Sequence, residues 1–196
     1  MPLPPITSAS VGEPTRFRPL PELDQALAAL PPAGADVGRV HLLVARGLAG
    51  LRSCPPRVHL TPKSGIPGDA WGRKKRTSQH GQLAVMQRDV AELIANGQPL
   101  TLFGDNLIVE LDLSAANLPV GTTLRIGTAT LVVTPKPHDG CSKFQARFGA
   151  DALRFVARKA TRARNLRGVY LCVTRSGDVA VGDAVRVLRR PQPPRP

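Results

Sequence analysis

Short apolar runs of strand length, cut at close intervals by glycine-containing turns, occupy the chain from Val37 to Leu188. The runs are Val37–Ala45, Arg57–Thr61, Gln82–Met86, Leu107–Leu113, Thr122–Ile126, Thr128–Thr134, Gly168–Thr174, Asp178–Val181 and Ala184–Leu188. Gly104-Asp105-Asn106, Ser176-Gly177 and Gly182-Asp183 punctuate them, and Gly127 joins two runs as a tight hairpin turn. Many short strands with few residues between them favour a closed sheet, because closure removes unpaired edges. The predicted fold is therefore mainly β (α+β), a barrel-like domain with two or three peripheral helices.

Three segments have helical spacing instead. Leu20–Leu30 repeats apolar residues at 20, 23, 27 and 30 and stops at Pro31-Pro32. Gln87–Asn96 places Val90, Leu93 and Ile94 on one face before Gly97. Ser142–Arg162 carries the stripe Leu153, Val156, Ala157 and Ala160, with a break expected at Gly149. The domain reading is a Pro-rich arm with a short helix (1–36), a barrel domain (37–189) and a loose tail (190–196).

A chain of 196 residues buries enough surface to fold without disulfides or metal. Cys54, Cys141 and Cys172 are too few and too scattered for a disulfide framework, and no histidine forms a short-spaced pair with a cysteine. No apolar run reaches the roughly 18 residues of a membrane span, and the N-terminus lacks a secretory pattern. A cytoplasmic location is the expectation. The net charge of +13 suggests anionic partners, such as phosphate, nucleic acid or an acidic protein surface. At 4% aromatic residues the chain is poorly supplied with stacking platforms for single-stranded nucleic acid. No phosphate-binding G-x-x-x-x-G-K-[ST] loop and no G-x-S-x-G nucleophile elbow occurs.

The richest stretch is TLVVTPKPHDGCSKFQARFG, residues 130–149. A strand runs into a loop stiffened by Pro135 and Pro137, passes Gly140, and reaches Cys141 at the start of a helix. A thiol at a helix N-terminus among Lys136, His138, Lys143 and Arg147 is favoured as thiolate. Such a group suits sulfur transfer or coordination of a soft metal. His138 is a candidate proton donor. Cys172, in mid-strand, reads as a buried inert thiol, and Cys54 as incidental.

From Val37 to Leu188 the chain resembles the MOSC domain, the C-terminal domain of molybdenum cofactor sulfurases. The resemblance rests on ordered blocks: GRVHLL (38–43), SGIPGD (64–69), QLAVM (82–86), LFGDNL (102–107), LPVGTTLRIGTATLVVTPKPHDGC (118–141), FGADALRF (148–155), RGVYLCV (167–173) and VAVGDAVRV (179–187). It implies a barrel-like fold that handles molybdenum cofactor, a pterin dithiolene with a phosphate tail. Cys141 occupies the position of the family's cysteine, which ligates molybdenum or accepts sulfur as a persulfide. Some members reduce N-hydroxylated compounds with electrons from a partner protein, and others serve cofactor sulfuration alongside a cysteine desulfurase. The pyridoxal-phosphate domain of the larger sulfurases has no counterpart here. Where some relatives carry a basic residue or His after the Gly-Asp of the second block, this chain has Ala70 and Trp71 and then Arg73–Arg76.

Asp69 and Asn106 read as turn formers or as cofactor contacts, and Arg76 and Arg167 as contacts for its phosphate. The run Arg158–Arg167 is the better of the basic segments for docking an anion or a partner. Trp71 either walls a planar ligand or packs, and His80 is a weaker proton donor than His138. Two rivals to a cofactor-using enzyme or sulfur carrier remain at this level: a non-catalytic cofactor carrier, and a basic nucleic-acid-binding barrel.

Overall fold

The computed structural model describes residues 6–7, 11–73 and 78–192. Chain order gives twelve strands: β1 Ile6–Thr7, β2 Val37–Leu43, β3 Ala45–Arg46, β4 Leu51–Ser53, β5 Arg57–Leu60, β6 Leu83–Gln87, β7 Leu107–Val109, β8 Thr123–Ile126, β9 Ala129–Val133, β10 Val169–Arg175, β11 Gly177–Ala180 and β12 Ala184–Arg189. The α-helices are α1 Leu20–Ala29, α2 Arg88–Ala95, α3 Ser142–Phe148 and α4 Ala150–Ala157. Seven strands close into a barrel in the order β10-β6-β7-β2-β12-β8-β9. Every neighbouring pair is antiparallel except β6–β7, which α2 connects as a crossover. The hairpin at Gly127 forms as expected, with Ile126 opposite Ala129. Gly127 has φ +55°, and a Cβ there would lie 2.3 Å from the carbonyl oxygen of Asp178.

Period-2 alternation sorts the strand residues between two cores. Leu83, Val85, Leu107, Val109, Leu131 and Leu171 point into the barrel, where Val58, Leu60 and Val179 from the β5–β11 ribbon join them. Met86 and Ile108 point outward and are covered by Leu23 and Leu27 of α1, Ile94 of α2, Phe148 of α3 and Phe155 of α4. The N-terminal helix thus belongs to the same helical layer as the rest. The arm before it docks too, since Gly12 N–H donates to Ala146 O and Glu13 N–H to Gln98 Oε1.

The helical stretch after Cys141 breaks at Gly149 (φ +91°) and ends as a 3-10 turn, Lys159–Arg164. The Leu107–Leu113 run keeps strand pairing only to Val109, because Asp112 takes Ser114 N–H onto its own carboxylate and turns the chain. Of the expected loose tail, Arg190 is anchored through Nε to Asn117 O, and residues 193–196 lie outside the described ones. Among the described residues no helix is long and apolar enough to cross a membrane.

Candidate functional site

On the outer barrel wall, Ala84 of β6 and Tyr170 of β10 sit opposite each other in register. Both belong to the outward-facing series, and they form part of a cleft of about 460 Å³. Three loops and a helix complete it: the β3–β4 hairpin, the turn before β7, the segment after β9 and α3.

The segment after β9 is tied down at its start by Thr134. Thr134 Oγ1 donates to His80 O at 2.7 Å, and Thr134 N–H donates to Tyr170 O. Gly140 then lies so close to α4 that a Cβ would meet Leu153 at 2.4 Å, so glycine serves close approach there and not a tight turn. Cys141 follows as the N-cap of α3, its thiol exposed at the cleft and making no cap hydrogen bond.

Arginine dominates the cleft. Arg46, Arg52, Arg147 and Arg167 line it, with Lys143. Arg46 and Arg52 face each other in register across the β3–β4 hairpin, an arrangement that costs stability unless an anion intervenes. Arg46 is compensated: its Nη2 lies 2.6 Å from Asp69 Oδ2. Arg52 is not. It is 6% exposed, its Nη1 has no partner, and burial followed by repulsion from Arg147 pushes its pKa down to about 10. Arg147 donates from Nη1 to Leu102 O and leaves Nε unpartnered; burial lowers its pKa. Arg167 donates from Nη1 to Asp105 Oδ2 at 2.7 Å, lies 5.2 Å over the Phe144 ring, and leaves Nε unpartnered.

Beneath this layer Asp105 is fully buried, and burial pushes its carboxyl up. Its second oxygen lies 3.5 Å from Nε2 of His138, whose Nδ1 has no partner. Burial first, and then the charges of Arg167, Arg46 and Lys136, hold His138 well below the usual imidazole range. The neutral His138 ring lies 4.3 Å from that of Tyr170, tilted by 41°, and burial raises the Tyr170 phenol above its ordinary value.

This neutrality has a measurable sign. Below pH about 6.5 the unfolded chain takes up a proton at His138 that the fold refuses. The contribution of His138 is therefore present above that pH and lost as pH falls toward the depressed folded value. Wild-type stability should fall from pH 7 to 5 more steeply than that of His138→Gln, by up to about 1.4 kcal/mol per pH unit. Urea unfolding across this range measures it; parallel profiles would mean that His138 titrates alike in the folded and unfolded chain.

The expected site residues divide into groups. Cys141, His138, Lys143, Arg147 and Arg167 come together in the cleft. Lys136 is exposed beside it, 4.9 Å from the Tyr170 ring. Asp69 and Asn106 lie beneath rather than on its surface. Asp69 accepts from Arg46, Trp71 N–H and Asn106 Nδ2, while Asn106 also binds the backbone of Ala84 and Val44. Through these bonds they position Arg46 and tie the chain after β2 to β6. Arg76 lies outside the described residues. Trp71 packs with its Nε1 on Ser78 O, and His80 engages through its backbone, its N–H donating to Ser78 Oγ and its carbonyl accepting from Thr134 Oγ1.

The basic run Arg158–Arg167 is not one surface. Arg158 pairs with Asp24, Arg162 lies 3.7 Å from Asp139, and Arg167 is buried. Cys172, expected to be buried, is half-buried on the outward face of β10, and burial raises its thiol pKa. Residues missed from the sequence are Arg46, Arg52, Asp105 and Tyr170. A pair of arginines flanking Gly47 and Gly50 was the available signal for the first two.

The fold is similar to those of several solved structures. The YuaD protein from Bacillus subtilis is 18% identical, with a TM-score of 0.57, covering 76% of this chain and 94% of that one. YiiM from Escherichia coli is 20% identical with a TM-score of 0.53, covering 79% of this chain and 72% of its own. YiiM from Geobacillus stearothermophilus is 18% identical with a TM-score of 0.50, over 81% and 76%. No functionally curated protein matches the sequence significantly. The family model of the MOSC domain matches residues 76–186, which include Cys141 and most of the barrel, and the chain belongs to the MOSC domain family.

Proposed function

We propose that the cleft binds molybdenum cofactor and that the Cys141 thiol acts on it, as a ligand to the metal or as the acceptor of sulfur. The observation that carries this reading is the set of unpartnered buried donors, Arg52 Nη1, Arg147 Nε and Arg167 Nε, gathered around a cleft with one exposed thiol at its wall. Buried guanidinium N–H groups without acceptors are costly, and an anionic ligand with several oxygens would satisfy them. A phosphate-bearing pterin dithiolene matches that donor set, with Phe103 and Tyr170 as flat walls. The family's association with molybdenum cofactor and sulfur transfer supports the same reading.

Arg52, Arg147 and Arg167 hold the anionic part, and Lys143 at the rim guides it in. When bound, molybdenum supplies two-electron oxygen-transfer chemistry, suited to reducing N-hydroxylated substrates with electrons from a partner. His138, neutral and buried, holds a proton within the cleft. If the protein instead carries sulfur, the Cys141 thiolate attacks the persulfide of a donor such as a cysteine desulfurase. The new S–S bond forms as the donor thiolate leaves.

The test is cofactor content. Protein from a cofactor-producing host should hold molybdenum and pterin in equal amounts, and Arg52→Met with Arg147→Met should retain less than a tenth of both. Two charge-assisted hydrogen bonds of about 1.5–3 kcal/mol each account for that loss. Arg52→Met alone should not lower the melting temperature, because Arg52 is a crowded buried charge whose Nη1 has no partner, whereas Arg147→Met gives up the bond to Leu102 O and should cost about 1–3 kcal/mol. Cofactor content unchanged in the double variant, or none in the wild type, would overturn the reading.

A further inference from the structure

A second arginine cluster lies away from the cleft and shares no residue with it. Register places Arg186 of β12 opposite Arg125 of β8, Arg125 opposite Thr130 of β9, and Thr130 opposite Arg175 of β10. The result is one row across four barrel strands, with Cα atoms of neighbours roughly 5 Å apart. Arg57 of β5 joins the row around a shallow depression of about 610 Å³. All four arginines are exposed, and none of their side chains makes an ion pair or hydrogen bond among the described residues. The depression also holds Asp178, which His59 occupies, and Asp183, which accepts from Ala180 N–H. From Tyr170 at the cleft to Arg175 in the row is roughly 17 Å along β10.

A directly opposed Arg125–Arg186 pair is unfavourable in the isolated chain. Three exposed aliphatic residues adjoin the row: Val37 (51% exposed), in register with Arg186; Leu188 (49%), two residues along β12; and Val181 (47%), whose N–H donates to Pro56 O beside Arg57. Phosphate backbones make no use of isolated aliphatic side chains, and no aromatic residue lies in the depression to stack a base. Arginine interleaved with exposed aliphatic groups is instead the composition of protein interfaces.

We infer that this face docks an acidic protein surface, with carboxylates bridging the arginine row and apolar side chains meeting Val37, Leu188 and Val181. The inference does not depend on what the cleft binds.

The 196-residue chain is titrated at low salt with a soluble peptide that alternates glutamate pairs with leucine, and separately with duplex DNA of equal charge. The peptide should bind, more weakly as salt is raised. Arg125→Glu with Arg175→Glu should weaken it at least tenfold, and Val37→Ser with Leu188→Ser severalfold. Arg52→Met, in the cleft, should leave it unchanged. Arg186→Glu, which converts the opposed pair to an attractive one, should weaken the peptide without lowering the melting temperature. Tighter binding of DNA than of peptide, with no effect of the Val37 and Leu188 changes, would overturn the inference. So would a loss in Arg52→Met equal to that of the row variants.

Discussion

Replacing Arg167 by alanine is expected to lower the melting temperature by on the order of 10 °C, although the residue belongs to a sequence run that reads as a docking surface for an anion or a partner. The reason is Asp105. Its carboxyl has no solvent exposure, and among the described residues Arg167 is the only cation in an ion pair at normal distance with it; the neutral His138 stands 3.5 Å away. Removing one member of a buried pair costs about 3–5 kcal/mol, because the survivor is left uncompensated. Folding free energies are roughly 5–15 kcal/mol in total, so the loss is large. Arg167→Glu adds a second carboxyl beside the first and should leave little folded protein at neutral pH. By contrast, Arg162→Glu and Arg164→Glu, both exposed, should change stability by less than about 0.5 kcal/mol. A double replacement, Asp105→Asn with Arg167→Met, should recover about half of the alanine loss, since neither charge then remains buried. Thermal melts of the five variants decide the matter. A single Arg167→Ala within 2 °C of wild type would mean that water reaches Asp105 and that the pair is not the keystone of the cleft floor.

The barrel was legible because its rule is local. Alternation with period 2 and a glycine at each turn specify strand, face and hairpin together, and so β8, β9, β10 and β12 lie within a residue or two of expectation. The same holds for α1 and α2, whose apolar spacing and stop signals agree. What escaped was the β3–β4 hairpin, where Ala45-Arg46 and Leu51–Ser53 offer no alternation long enough to read. With it went Arg46 and Arg52, although two arginines across a Gly-x-x-Gly turn are a charge conflict visible in sequence. Asp105 and Tyr170 were missed for another reason. Asp105 stands in a Gly-Asp-Asn turn and reads as a turn former; its buried pairing with Arg167 spans 62 positions, a distance over which sequence spacing says nothing. Tyr170 looks like one more strand residue until the register with Ala84 shows that it faces outward. Asp69 and Asn106, which read as turn formers or as cofactor contacts, direct their hydrogen bonds into the fold, toward Arg46 and the strand ends.

The most severe functional loss should come from Cys141→Ser. Of the three thiols, those of Cys54 and Cys172 are half-buried and pushed up by burial, whereas Cys141 is exposed at the cleft. Iodoacetamide at pH 7 should therefore modify Cys141 first, because alkylation follows exposure and thiolate fraction. Serine keeps the size of the side chain but offers a hard hydroxyl that does not ionise near neutral pH. It can neither ligate a soft metal as thiolate nor form a persulfide. The residue makes no cap hydrogen bond, and its backbone carbonyl still accepts from Gln145, so the melting temperature should shift by no more than 1–2 °C, since a change at an exposed site without special contacts costs about 0.5 kcal/mol or less. The arginines remain, so the variant should keep part of its pterin while losing all activity on an N-hydroxylated substrate supplied with an artificial electron donor. Three measurements on wild type and variant separate the cases: metal and pterin per chain, substrate turnover, and transfer of labelled sulfur from a persulfide donor. Turnover lost with labelling of the wild type absent assigns Cys141 to the metal. A wild type that takes up labelled sulfur but never molybdenum assigns it to sulfur carriage. Full turnover and unchanged labelling in Cys141→Ser would remove the thiol from the chemistry altogether and leave the arginine cleft as a site for an anion that the protein binds without using its cysteine.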